Sequence, residues 1–125
     1  MQKILIVEDE IDLKQAIKTT LEGVGYLVFE ASNGKEGITV ALREHPDLIL
    51  VDINMPELNG HQMLSKIRDD KWGKEVKAIY LTAYSDPENV VEAVDKGSDQ
   101  YLVKSNISLE EVVTKVKQVL SGYVI

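Results

Sequence analysis

Ile4-Leu5-Ile6-Val7-Glu8-Asp9 is an unbroken aliphatic run that stops abruptly at two acids. Without polar alternation it reads as a strand buried on both faces, the situation of a strand inside a parallel sheet. The layout recurs. Leu48-Ile49-Leu50-Val51 ends in Asp52, residues 76–81 end in Thr82, and Tyr101-Leu102-Val103 ends in Lys104. With residues 26–29 added, the strand candidates are 4–7, 26–29, 48–51, 76–81 and 101–103.

Helical spacing fills the intervals. Leu13, Ile17, Leu21 and Val24 form one stripe, flanked by Ala16 and Thr20. Ile38, Ala41 and Leu42 mark a second, and Met63, Leu64 and Ile67 a third. Val90, Val91 and Val94 mark a fourth; Leu109, Val112, Val113, Val116 and Leu120 mark a fifth. Ser108 with Glu111 predicts a capping box at the last helix. Asp86-Pro87 supplies a start signal for the fourth, and Gly97 its C-cap.

A βα unit repeated about five times predicts an α/β fold with helices on both faces of a parallel sheet. Right-handed crossovers permit a doubly wound (βα)5 three-layer sandwich, and the flavodoxin-like strand order 2-1-3-4-5 is the one we choose among those they allow. The whole chain, 1–125, reads as one domain, and 125 residues suffice for a real core. The order places strand 1 beside strand 3, so the switch-point crevice lies between Glu8-Asp9 and Asp52.

Composition narrows the function classes. The chain is 44% hydrophobic and 28% charged, with net charge −7. So acidic a surface argues against direct binding of nucleic acid or anionic lipid. With no cysteine, disulfides and thiolate chemistry are excluded. No apolar run reaches the roughly 20 residues needed to span a bilayer. Met1-Gln2-Lys3-Ile4 enters a strand without a signal-peptide layout, which predicts a cytoplasmic protein.

Glu8, Asp9 and Asp52 meet at one sheet edge in this topology. Acids so gathered repel one another, and a hard divalent cation relieves the repulsion. Mg²⁺ suits one or two carboxylates plus a phosphate, with the main-chain carbonyl of Asn54 as a further oxygen. Taken singly, Glu8 and Asp9 equally suit a helix start, where acids favour the dipole. Asp52 reads either as a turn aspartate before Asn54-Met55-Pro56 or as a nucleophile able to carry an acyl phosphate. Lys104 reads either as a surface lysine or as the cation that pairs with Asp52 and then with a phosphoryl oxygen. Thr82 either closes its own turn or donates to that oxygen.

As a set, these residues resemble the receiver domains of two-component response regulators. The match runs through Ile4-Leu5-Ile6-Val7-Glu8-Asp9-Glu10 and Asp47-Leu48-Ile49-Leu50-Val51-Asp52-Ile53-Asn54-Met55-Pro56, with Gly60 following. It continues through Leu81-Thr82-Ala83 and Gly97-Ser98-Asp99-Gln100-Tyr101-Leu102-Val103-Lys104. The resemblance implies that Asp52 is the phosphoacceptor. It implies that Glu8, Asp9, Asp52 and the Asn54 carbonyl hold Mg²⁺, and that Thr82 and Lys104 bind the phosphoryl oxygens. Tyr101 matches the family's switch aromatic, which moves with Thr82. Ala83 is the small neighbour of the acceptor, and Ile53, Asn54 and Tyr84 occupy positions that tune dephosphorylation. The implied donor is a histidine kinase or a histidine phosphotransfer protein. The implied output is a downstream target bound on the face of the fourth helix, fifth strand and fifth helix. A monomer or a phosphorylation-linked dimer is expected, with no membrane insertion.

The sequence departs from the family once. Members carry Lys-Pro after the fifth strand, joined by a cis bond; here Ser105 follows Lys104. A cis bond before a non-proline residue costs about 2.5–4 kcal/mol, so a trans bond is expected. Other classes fit less well. An aspartyl-nucleophile Mg²⁺ phosphatase would want a second acid two residues after Asp52, where Asn54 stands. A nucleotide or flavin binder would want a glycine-rich phosphate loop, and none is present. A phosphorylation-independent receiver-like module would not need the complete acid, threonine and lysine set. His45 and His61 read as exposed loop or helix-end residues and Trp72 as structural. The valine stripe of the last helix reads as core.

Overall fold

The computed structural model describes residues 1–82, 100–104 and 107–121. In chain order these form β1 (Lys3–Val7), α1 (Ile11–Val24), β2 (Leu27–Ala31), α2 (Gly34–Glu44), β3 (Leu48–Asp52) and α3 (Gly60–Arg68). A 3₁₀ turn (Gly73–Glu75), β4 (Lys77–Thr82), β5 (Gln100–Val103) and α4 (Leu109–Ser121) follow. α4 is the last of the expected helices. The expected helix at Val90, Val91 and Val94, its signals at Asp86-Pro87 and Gly97, Ala83, Tyr84 and the Lys104–Ser105 bond lie outside the described residues.

All five strands are parallel, in the predicted order β2-β1-β3-β4-β5. Period-two alternation splits each central strand between two cores. Leu5, Val7, Ile49, Val51, Ala78 and Tyr80 face Val40, Ala41, Met63, Leu64 and Ile67 of α2 and α3. Ile4, Ile6, Leu48, Leu50, Ile79 and Leu81 face Ile17 and Leu21 of α1 and Val112, Val116 and Val119 of α4. Both faces of β1, β3 and β4 are therefore covered, which is why their sequences lack polar alternation. The valine stripe of α4 is core, as expected.

Several boundaries differ from expectation. β2 runs from Leu27 to Ala31 rather than over 26–29. The Tyr26 N–H is taken by the Leu21 carbonyl at 3.2 Å, closing α1 around the left-handed Gly25. Glu30 extends the strand because β2 is an edge strand, whose outer positions reach solvent. On α1, Val24 overhangs into solvent, while Lys14 joins Ile17 and Leu21 on the buried stripe. Ser108 caps α4 through the Glu111 N–H at 3.1 Å, as predicted. The Glu111 carboxylate reaches the Ser108 hydroxyl at 3.4 Å rather than the cap's own N–H. A second capping box, Asn59 with Gln62, starts α3 and went unread because an amide replaces the usual hydroxyl.

Candidate functional site

The register sets the ends of β1, β3, β4 and β5 side by side, pairing Val7 with Val51, Asp52 with Leu81 and Thr82 with Val103. Glu8 continues the β1 ladder by donating its N–H to the Ala31 carbonyl at 3.0 Å. Its fully buried carboxylate turns back. Oε2 accepts the Glu10 N–H at 3.0 Å and closes the turn into α1. Oε1 lies 2.7 Å from Lys104 Nζ, an ion pair not aligned as a directed hydrogen bond.

Asp52 is the last residue of β3 and is also buried. Its Oδ1 accepts the Asn54 N–H at 2.9 Å, and its Oδ2 accepts from Lys104 Nζ at 3.0 Å. The ammonium therefore bridges two buried carboxylates. Asp9 is exposed at the rim, and one oxygen each from Glu8, Asp9 and Asp52 lies within 4.8 Å of the others. The acids are thus partly balanced already, by a lysine whose side chain is 18% exposed.

Burial pushes the Glu8 carboxyl up to about 7. The Lys104 ammonium and the Glu10 N–H pull it down, and the Asp52 charge adds to the rise. Lys104 is raised: burial works against its charge, but Glu8 and Asp52 outweigh it.

Thr82 is buried at the end of β4, one residue past the Leu81 that pairs with Asp52. Tyr101 lies on β5 opposite Tyr80 and is 38% exposed. Glu8, Asp9, Asp52, Thr82 and Lys104 therefore share one edge. Asn54 follows Asp52 with its N–H held by the Asp52 carboxylate.

Gly60 explains how Asp52 is seated. A Cβ there would lie 2.7 Å from the Asp52 carbonyl oxygen and 3.1 Å from Ile53 Cα. Only glycine lets α3 start against the backbone at the end of β3. Gly60→Ala is expected to lower stability by roughly 1–3 kcal/mol. Urea melts check this; an unchanged midpoint would show that the loop yields freely.

The expectation of exposure holds for His45 and is corrected for His61. His61 is buried in the first turn of α3, its Nδ1 3.1 Å from Tyr80 Oη. The start of α3 is pressed against the Asp52–Ile53 backbone by the Gly60 contact, which takes the His61 ring out of solvent. His45 caps α2 in the left-handed region at φ 50° and is exposed. Its ring stacks on Trp72 at 4.5 Å, so the structural reading of Trp72 stands.

A doubly wound sheet with buried acids, a threonine and a bridging lysine at its C-terminal edge defines a class of phosphoryl-handling switch domains. Residues 4–117 match the family model described as the response regulator receiver domain, and the chain belongs to that family. It is the phosphorylation-activated signalling module of two-component systems. Among its relatives is the transcriptional regulatory protein SrrA of Staphylococcus aureus, 38% identical over 118 residues, covering 94% of this chain and 47% of SrrA. The chain spans about half the length of the curated relatives it matches. Vibrio cholerae chemotaxis protein CheY4 superimposes with a TM-score of 0.90 at 30% identity, covering 95% of this chain and 98% of that one. The receiver domain of the Pseudomonas aeruginosa sensor histidine kinase PA1611, which has magnesium coordinated in its active-site cleft, gives 0.86 at 28% identity, covering 96% and 98%. No helix among the described residues is long and apolar enough to cross a membrane.

Proposed function

We propose that the chain acts as one receiver domain in which Asp52 takes a phosphoryl group from the phosphohistidine of a histidine kinase or phosphotransfer protein. A carboxylate oxygen of Asp52 attacks phosphorus, the P–N bond breaks, and the imidazole leaves with a proton, producing an aspartyl phosphate. The observation that carries this reading is the shared ammonium: Lys104 Nζ lies 2.7 Å from Glu8 and 3.0 Å from Asp52. It stands ready to exchange a carboxylate for a phosphoryl oxygen. Thr82 donates to a second phosphoryl oxygen.

The donor set fits a hard divalent cation. Oxygens of Glu8, Asp9 and Asp52 gather within 4.8 Å, two of them from buried side chains that meet at one sheet edge. These residues, with the Asn54 carbonyl, would hold Mg²⁺. When bound, the ion neutralises charge on the phosphoryl oxygens.

Thr82 moving toward the phosphoryl group frees space for Tyr101 to turn in from solvent, which shifts a two-state equilibrium. The output is a target protein, or a second receiver, on the face of the fourth expected helix, β5 and α4. Support for that face is the groove between β5 and α4, lined by Tyr101, Val103, Glu111 and Lys115. The proposal includes a cytoplasmic site of action and no distinct enzymatic turnover. Acetyl phosphate with Mg²⁺, followed by intact mass and peptide mapping, tests it. One phosphate on Asp52 is the expected result, and sustained release of phosphate from a phosphomonoester would favour a phosphatase instead.

The raised Glu8 makes both stability and metal binding depend on pH. Its folded pKa, about 7, exceeds the usual value of 4.5. This group's contribution to metal-free stability is complete below 4.5 and is lost as pH rises through 7. Mg²⁺ must displace the Glu8 proton, so its affinity should climb toward neutral pH and level off above it. Millimolar MgCl₂ should therefore raise the melting temperature more at mildly alkaline than at mildly acidic pH. A shift of equal size on both sides would remove Glu8 from the cation site.

A further inference from the structure

Lys14 is 8% exposed on the inner stripe of α1, and its Nζ donates to Ser32 Oγ at 2.7 Å. No ion pair among the described residues includes it. A buried ammonium without a paired carboxylate is unfavourable unless a negative field lies close by. Two chains of contacts lead to such a field. The Lys14 N–H bonds the Glu10 carbonyl at 3.0 Å, and the Glu10 N–H bonds Glu8 Oε2 at 3.0 Å. Ser32 follows Ala31, whose carbonyl accepts the Glu8 N–H at 3.0 Å. Ser32 thus stands abreast of Glu8, one strand spacing of roughly 4.8 Å away. Lys14 is fastened at its backbone to the turn that Glu8 closes and at its ammonium to the residue beside Glu8.

We propose that Lys14 is a positioning residue and built-in counter-charge for the Glu8–Asp9–Asp52 cluster, holding down its affinity for divalent cations. The proposal deepens the switch reading above and rests on its metal site. Lys104 pairs directly with two of the acids and can swing to a phosphoryl group. Lys14, 8% exposed and bonded to Ser32, keeps its charge in place as a constant background. Three acids facing two ammoniums bind a dication less tightly than three acids facing one. Affinity therefore becomes low enough for cation occupancy to respond to arrival of the phosphoryl group.

The test is Mg²⁺ titration of the whole chain, read as Kd, for Lys14→Met, Lys14→Gln and Lys14→Arg. At separations near one strand spacing plus a side chain, neutralising Lys14 should tighten Mg²⁺ binding about fivefold to tenfold. Lys14→Arg keeps the charge and should return the affinity to that of the parent. The sign separates this role from a structural one, because damage to the β1–α1 turn weakens binding. Lys14→Met matches the stem in length, and Lys14→Gln keeps a donor for Ser32, so one serves if the other folds poorly. Unchanged or weaker binding in the neutral variants, with the parent still binding Mg²⁺, overturns the Lys14 role alone. Absence of Mg²⁺ binding in the parent overturns the metal site and this role with it.

Discussion

Asp52→Asn is expected to abolish covalent labelling by acetyl phosphate or a phosphohistidine donor, to below one-hundredth of the parent yield. The amide is nearly isosteric but lacks the anionic oxygen that attacks phosphorus. The fold should tolerate it. Oδ1 of an asparagine still accepts the Asn54 N–H now bonded to Asp52 at 2.9 Å, and Lys104 keeps Glu8 at 2.7 Å. Removing the Asp52 charge also relieves one cause of the raised Glu8. The asparagine Nδ2 takes the place of the Oδ2 that accepts from Lys104 at 3.0 Å, a donor facing a donor, so stability should change by roughly 1–2 kcal/mol while folding stays cooperative. Lost labelling with an intact melt therefore isolates chemistry from folding. A phosphate of undiminished yield on the variant would remove Asp52 as acceptor.

Lys104→Ala should produce the second large effect, one that changes with pH. The substitution leaves two buried carboxylates without their shared cation. Removing one partner of a buried pair commonly costs about 3–5 kcal/mol, because the remaining charge is stranded. Glu8 has an escape, since it already titrates near 7 and without the ammonium would hold its proton to higher pH. At acidic pH the variant should therefore lose little stability relative to the parent. The deficit should open as pH rises through and beyond 7, toward about 3 kcal/mol, since the variant retains a proton that the parent releases. Mg²⁺ should recover part of it, and phosphorylation should no longer move Tyr101. Urea denaturation across pH, with and without MgCl₂, reads this directly. A deficit independent of pH would mean that Lys104 acts through packing and not through the two acids.

Much of this site was legible in the sequence because parallel strands are buried on both faces and end along one edge. Uninterrupted apolar runs therefore announce both the strand and the place where its first polar residue emerges. That logic placed Glu8, Asp52, Thr82 and Lys104 together. It failed for Lys14, because a stripe search keyed on apolar residues skips a lysine lying on the same face as Ile17 and Leu21. It failed for His61, whose burial follows from how closely Gly60 meets the Asp52 backbone. It shifted β2 because Tyr26 gives its N–H to the Leu21 carbonyl at the end of α1.

The sequence alone determined the βα repeat and the residues that end each strand, since periodicity is a local property of the chain; right-handed crossovers permitted the order 2-1-3-4-5 without fixing it. Only the tertiary structure decided how charge is shared there. It assigned one ammonium to both Glu8 and Asp52, raised Glu8 by burial, and buried Lys14 against Ser32. Such balances depend on distances between residues remote in sequence, and an electrostatic energy that varies with distance and burial is not written in any single stretch of chain.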